Sequence, residues 1–180
     1  MRTAIFFISA LCLASAPALV SAAEAPKPAA PEGPKSLGSS KNWGAYSAGS
    51  GKTIVCYMVG KPVKTLPVNP TRGRVDAHVT HRPGENADNV VNFALGYETK
   101  ANSKAELDID GKKFPLFTNK DSAWAADAGT DKAITQALGR GKQAVLKATS
   151  ARGTNSIDTY SLEGVGKALE LIDGTCKVKR

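Results

Sequence analysis

Short runs in which apolar and polar residues alternate recur along the chain, and a period of two marks half-buried strands. Val75, Ala77 and Val79 alternate with Asp76, His78 and Thr80. Val91, Phe93 and Leu95 repeat the pattern, and so do Ala105, Leu107 and Ile109. Thr53 to Val59 is instead a continuous apolar run of strand length, rich in β-branched residues. Asp110-Gly111 supplies a two-residue turn that favours positive φ, so Leu107 to Thr118 reads as a β-hairpin with Pro115 at its edge. Trp124 and the Gln143 to Ala151 segment are further strand candidates.

Two segments change to helical spacing. In the first, Thr130 is the expected N-cap, Ala133, Ile134, Ala137 and Leu138 form the apolar face, and Gly139 or Gly141 ends it. In the second, Ser161 is the expected cap. Leu162, Val165, Ala168, Leu169 and Ile172 make one stripe, with Gly174 in the C′ position. Gly164 and Gly166 each cost that helix roughly 1 kcal/mol relative to alanine, so it depends on packing against the sheet. About seven short strands with turns every 8–12 residues or so predict a mainly β fold. The expected architecture is an antiparallel β-sandwich or partly closed barrel with two short helices, one near the C-terminus.

The N-terminal pattern has a different meaning. Arg2, an apolar run from Ala4 to Leu13, Pro17 and a string of small residues follow the order of a cleavable signal peptide, assigned to residues 1–23. Val20 with Ala22, or Ser21 with Ala23, satisfies the cleavage rule, and the two cuts are not separable. The run is too short to cross a bilayer, and no later stretch approaches the required length, so no integral membrane segment is expected after cleavage. Residues 24–41 hold Pro26, Pro28, Pro31 and Pro34 among small and polar residues, which predicts a flexible linker. Residues 42–180 then form one globular domain.

Cleavage removes Cys12 and leaves Cys56 and Cys176, an even pair in an oxidising compartment, which favours one disulfide closing a loop of about 120 residues. A cysteine nucleophile or metal site is the rival reading. It is weakened by the lack of a CxxC and by there being only two histidines. The formal charge of +8 and pI near 9.5 describe a basic surface that keeps the protein in solution. Its sharper reading is attraction to an anionic envelope or host-surface component. Nucleic acid is not an expected partner, because aromatics are 6% of the chain and no nucleic-acid-binding motif is present.

Several local patterns resemble chemical motifs and fail on detail. Gly49-Ser-Gly-Lys-Thr53 lacks the first glycine of a phosphate loop, where Tyr46 stands, and leads into a strand, so it reads as a turn. Glu106, Asp108, Asp110 and Gly111 mimic a calcium loop whose twelfth position is Phe117, so they read as the hairpin. His78 and His81, three apart on a strand, face opposite ways and read as surface or strand-end histidines. No GxSxG elbow is present, and no catalytic residue, metal site or cofactor is assigned.

The most distinctive stretch is Thr149-Ser-Ala-Arg-Gly-Thr154 followed by Asp158-Thr-Tyr-Ser-Leu162. With Trp43 and Tyr46, Cys56-Tyr57, Thr80-His-Arg-Pro83, Gly96-Tyr97, the Asp110-Gly111 hairpin with Phe114 and Phe117, Ala123-Trp124 and Cys176, it resembles the invasion-associated locus B family of exported alphaproteobacterial proteins. The resemblance covers essentially the whole mature domain. It implies an association with host-cell invasion and no catalytic site or cofactor. Some family members carry an extra cysteine near the tryptophan at position 43, and this chain has none there.

The expected function is an exported, non-enzymatic envelope or secreted protein that binds a partner, supporting host-cell interaction or envelope integrity. A periplasmic hydrolase or small-ligand carrier is the alternative. Arg152, Asp158 and Tyr160 are the candidates for a binding patch. Their structural reading is an Arg–Asp pair holding the turn and a tyrosine packed under the helix.

Overall fold

The structure is a computed structural model describing residues 33–69 and 71–180; the signal peptide and the first half of the linker expected from sequence, residues 24–32, lie outside the described residues. Eleven strands follow one another as β1 (Lys35–Ser40), β2 (Trp43–Ala48), β3 (Val55–Gly60), β4 (Lys64–Leu66), β5 (Asp76–Arg82), β6 (Ala87–Ala94), β7 (Lys104–Ile109), β8 (Lys112–Asn119), β9 (Ser122–Trp124), β10 (Gln143–Thr149) and β11 (Asn155–Ser161). Helix α1 (Ala128–Arg140) separates β9 from β10, and α2 (Val165–Cys176) follows β11. The strands make one open antiparallel sheet in the order β1-β2-β3-β5-β6-β9-β8-β7-β10-β11-β4. The mainly β fold and the helix near the C-terminus are as the sequence predicts; of the two expected architectures, the single unclosed sheet agrees with the partly closed barrel and not with the two sheets of a sandwich.

That sheet curls on itself. The Trp43 indole on β2 donates a 2.8 Å hydrogen bond to the carbonyl of Ser161 on β11, although those strands stand near opposite ends of the order. Phe93 on β6 meets Tyr160 on β11 edge to face, with ring centroids 5.8 Å apart. The alternation explains why: along β2, β3, β6, β7, β10 and β11 buried residues recur at every second position, and their apolar members form one core inside the curl. Ile134 and Leu138 of α1 and Val165, Ala168, Leu169, Ile172 and Cys176 of α2 join the same core.

Four local expectations change. Lys35–Ser40, assigned to the linker by composition, is strand β1 and pairs with β2 through Ser40 opposite Trp43. The apolar run from Thr53 starts with a 3-10 turn at Gly51–Thr53, and the strand itself begins at Val55. Helix α1 is capped by Asp127, whose carboxylate accepts the Thr130 N–H at 2.9 Å and also the Thr130 hydroxyl, so Thr130 lies inside the helix. Helix α2 begins after Gly164, not at Ser161, which remains in β11, and it continues through Gly174 to Cys176. Gly164 has φ +98, and a Cβ there would stand 2.3 Å from the Ser40 carbonyl oxygen. Only glycine permits that left-handed turn against β1.

Pro115 matches its expected edge position, because β9 pairs with β8 only along Phe117–Asn119 and leaves that side of Pro115 open. Asp110 and Gly111 take φ +49 and +90 in the β7–β8 turn.

Candidate functional site

One end of the curl is built from the loop between β4 and β5, the residues after β6, and the β10–β11 turn. Between them lies a cleft of about 380 Å³ whose walls include Asn69, Thr71, Arg72, Tyr97, Arg152 and Ser156. Such mouths of barrel-like sheets are common ligand sites.

The floor is a locked electrostatic unit. Asp158 lies between Ser156 and Tyr160 on the inward face of β11, so its carboxylate is fully buried and requires a cation. Arg72 supplies it from the β4–β5 loop: both terminal nitrogens donate to the two carboxylate oxygens at 2.7 Å, and Nε donates to the Leu95 carbonyl at 2.7 Å. This fork-on-fork geometry is the strong form of an ion pair. The guanidinium also stands 4.9 Å from the centre of the Tyr97 ring, and the Tyr97 hydroxyl meets Ser156 Oγ at 2.5 Å. Burial works against the Arg72 charge, but hydrogen bonding and attraction to Asp158 outweigh it and raise its pKa. Burial likewise raises Tyr97 above the usual phenol value.

Tyr160 completes the floor from below. Its hydroxyl is buried and has no hydrogen-bond partner among the described residues. Burial, followed by the nearby negative charges of Asp158 and Asp76, pushes the phenol well above its ordinary pKa.

The three patch residues expected from sequence therefore do not share a surface. Arg152 stands exposed on the turn after β10 and lines the cleft, whereas Asp158 and Tyr160 are buried on the inner face. The Arg–Asp pair does exist, but its arginine is Arg72, 86 positions away, and Tyr160 packs on Phe93. Neither Arg72 nor Tyr97 belongs to the expected patch. The parity of Ser156, Asp158 and Tyr160 on one strand was the signal that a buried carboxylate needed a remote cation.

The two histidines of β5 do face opposite ways. His78 is half-buried, with Nε2 2.6 Å from Asp76 Oδ1 and 2.9 Å from an Arg74 nitrogen; Arg74 also donates to Asp76. Burial lowers the His78 pKa against the opposing pull of Asp76. His81 is not a surface residue: it is completely buried, because it shares the inward face of β5 with Ala77 and Val79. Its Nδ1 accepts the Asn89 N–H at 3.0 Å, which leaves the ring proton on Nε2, donated to Asp173 of α2 at 2.9 Å. Arg180 closes this network with donors to Asp173 and Asn89. Burial disfavours the Asp173 carboxylate, yet the hydrogen bonds from His81 and Arg180 prevail and lower its pKa.

His81 sits directly opposite Cys56 across the β3–β5 ladder. Cys56 is bonded to Cys176 at the end of α2, with Cα atoms 6.0 Å apart, so the pairing favoured by the sequence is present. The disulfide and the His81–Asp173–Arg180 network fasten the same helix end. Gly49–Thr53 joins β2 to β3. Asp110 holds the backbone N–H groups of Lys142 and Gln143, so the imitation calcium loop serves as a brace between turns.

The model of a family described as Invasion associated locus B (IalB) protein matches residues 44–173. No curated protein and no solved structure gives a significant match.

Proposed function

Because the chain belongs to the invasion-associated locus B family, we propose that it is an exported, non-enzymatic protein that binds an envelope or host-surface partner through the mouth cleft. The observation that carries this reading is the division of labour in the cleft. Asp158 holds Arg72 and Ser156 holds the Tyr97 hydroxyl, which fixes the floor, while the exposed Arg152 guanidinium at the rim has no ion-pair partner among the described residues. A fixed floor lowers the ordering cost of binding. Export is supported by the signal-peptide pattern of residues 1–23 and by a disulfide of the kind that persists in oxidising compartments. The periplasm is the proposed location.

The test is a photo-crosslinking amino acid placed at Arg152 or Thr71 in cells producing the full chain, with Lys132 on α1 as the comparison position. A discrete adduct at the cleft positions and none at Lys132 is expected. Adducts absent from all three, or equal at all three, would overturn the assignment. Mass measurement of the envelope-fraction protein checks export separately: its N-terminus should be Ala23 or Glu24. Carriage of a small ligand is the second reading, favoured by a cleft volume of about 380 Å³, within the range of small-molecule sites. It predicts a small molecule that survives native purification in place of a protein adduct.

A further inference from the structure

The outer surface of β7, β8, β10, β11 and β4 carries a pattern unlike the rest of the sheet. The pairing registers align outward side chains in rows across five strands: Pro115, Glu106, Lys147, Ile157 and Leu66 form one, and Lys113, Asp108, Val145, Thr159 and Lys64 the next. Phe117 and Lys104 continue beyond them as a directly opposed pair. At roughly 4.8 Å per strand, the rows span about 20 Å. Within them lies a trough of about 540 Å³, larger than the mouth cleft, with which it shares only Ser156 in its lining.

We propose that this trough is a docking site for an acidic polysaccharide chain. Lys113 is engaged by Glu106 at 3.1 Å, but Lys104 and Lys147, which flank the same trough, have no ion-pair partner among the described residues. Lys64 adds a further cation at the end of a row, and it too has no such partner there. Lysine ammonium groups on flexible stems suit anionic groups repeated along a chain, because they impose no fixed bidentate geometry. Between the cations, Phe117, Ile157 and Leu66 remain substantially exposed, and Pro115 lies open beside them. Their apolar surfaces match the C–H faces of sugar rings. Scattered exposed apolar residues need no explanation, but two apolar pairs, Pro115 with Phe117 and Ile157 with Leu66, set on either side of Lys147 mark an interaction surface.

The form of the site favours a linear polymer over a bilayer. Lys104, Lys113, Lys147, Pro115 and Ile157 line a trough across β7, β8, β10 and β11, with Phe117, Leu66 and Lys64 beside it in the pairing rows, whereas a membrane surface is met by side chains that project from a convex one. Nucleic acid fits less well, since single-stranded binding stacks bases on several aromatic rings and this face exposes one, Phe117. The site uses the outer face and does not depend on what the mouth cleft binds.

The mature chain should bind polygalacturonate in low salt, bind neutral dextran much less, and lose affinity as salt is added. Lys104→Glu/Lys147→Glu should weaken polygalacturonate binding by about tenfold or more, equivalent to about 1.4 kcal/mol. Lys35→Glu/Lys132→Glu changes net charge equally at exposed positions elsewhere and should retain most of the affinity. Matching melting temperatures would show that both variants fold, and the neutral pair Lys104→Gln/Lys147→Gln should fall between the wild type and the glutamate pair. Equal losses in the two glutamate pairs would reduce the effect to net charge and overturn the proposal. So would no binding to polygalacturonate, or face-dependent binding confined to vesicles containing phosphatidylglycerol.

Discussion

Asp158 shows how one residue constrains a distant part of the chain. Its carboxylate has no exposure, so the β4–β5 loop must deliver Arg72 into the curl. Removing one member of such a pair leaves an uncompensated buried charge. Asp158→Ala should therefore cost about 3–5 kcal/mol in urea unfolding, while Arg72→Met/Asp158→Leu should cost much less than the sum of the single changes. Additive costs would contradict the pairing. Tyr160 predicts the reverse sign. Its hydroxyl is buried without a partner, so Tyr160→Phe should leave stability unchanged or raise it by about 1 kcal/mol. A clear destabilisation would mean that the hydroxyl has a partner in solution. His78 sets a pH dependence. Burial depresses its folded pKa below the 6.5 of an unperturbed histidine, so the unfolded chain takes up the proton first. Stability should fall as pH drops below about 6.5, and fall again below about 3.8 as Asp173, whose pKa is depressed, is protonated. The urea midpoint of His78→Gln, followed from pH 7.5 to 5, should lack the first decline. At this scale the sequence revealed which residues were unusual but not their partners, because a partner 86 positions away leaves no periodic trace.

Among the elements, α2 is the one most dependent on others. It has no side-chain N-cap, contains glycines at positions 166 and 174, and starts from the left-handed Gly164. Its apolar stripe, the Cys56–Cys176 bond and the His81–Asp173–Arg180 network hold it in place. Cys56→Ala/Cys176→Ala should lose about 2–5 kcal/mol, since the bond joins residues 120 positions apart. Hydrogen exchange should quicken in α2 before β7–β10; uniform quickening would show that the helix is not the weak unit. The stripe from Val165 to Ile172 was legible because burial imposes a 3.6 period. The caps were less so. Ser161 and Thr130 have the right chemistry, but Ser161 is retained by the β10–β11 ladder and Asp127 offers the Thr130 N–H a stronger acceptor.

For the whole molecule, strand identity could be read from alternation, but strand order could not. Periodicity says which face of a strand is buried, and nothing about which strand lies beside it. Composition also misled at the start, where Lys35–Ser40 joins the sheet and Leu37 packs on the core. Its backbone hydrogen bonds to β2 offset the low apolar content. A chain beginning at Asn42 should consequently melt roughly 3–8 °C below one beginning at Gly33, reflecting about 1–2 kcal/mol. Identical melting curves would return those residues to the linker.

An open sheet also has two borders, each presenting backbone groups that another molecule could extend into a fibre. At the β4 border, Pro62 and Pro67 bracket a strand of only three residues, and neither proline can donate a backbone hydrogen bond. Sheet growth from one copy to the next finds little template there. A surface that exposes Val63, Leu66 and Val68 can thus persist at high local concentration without seeding aggregation through that edge.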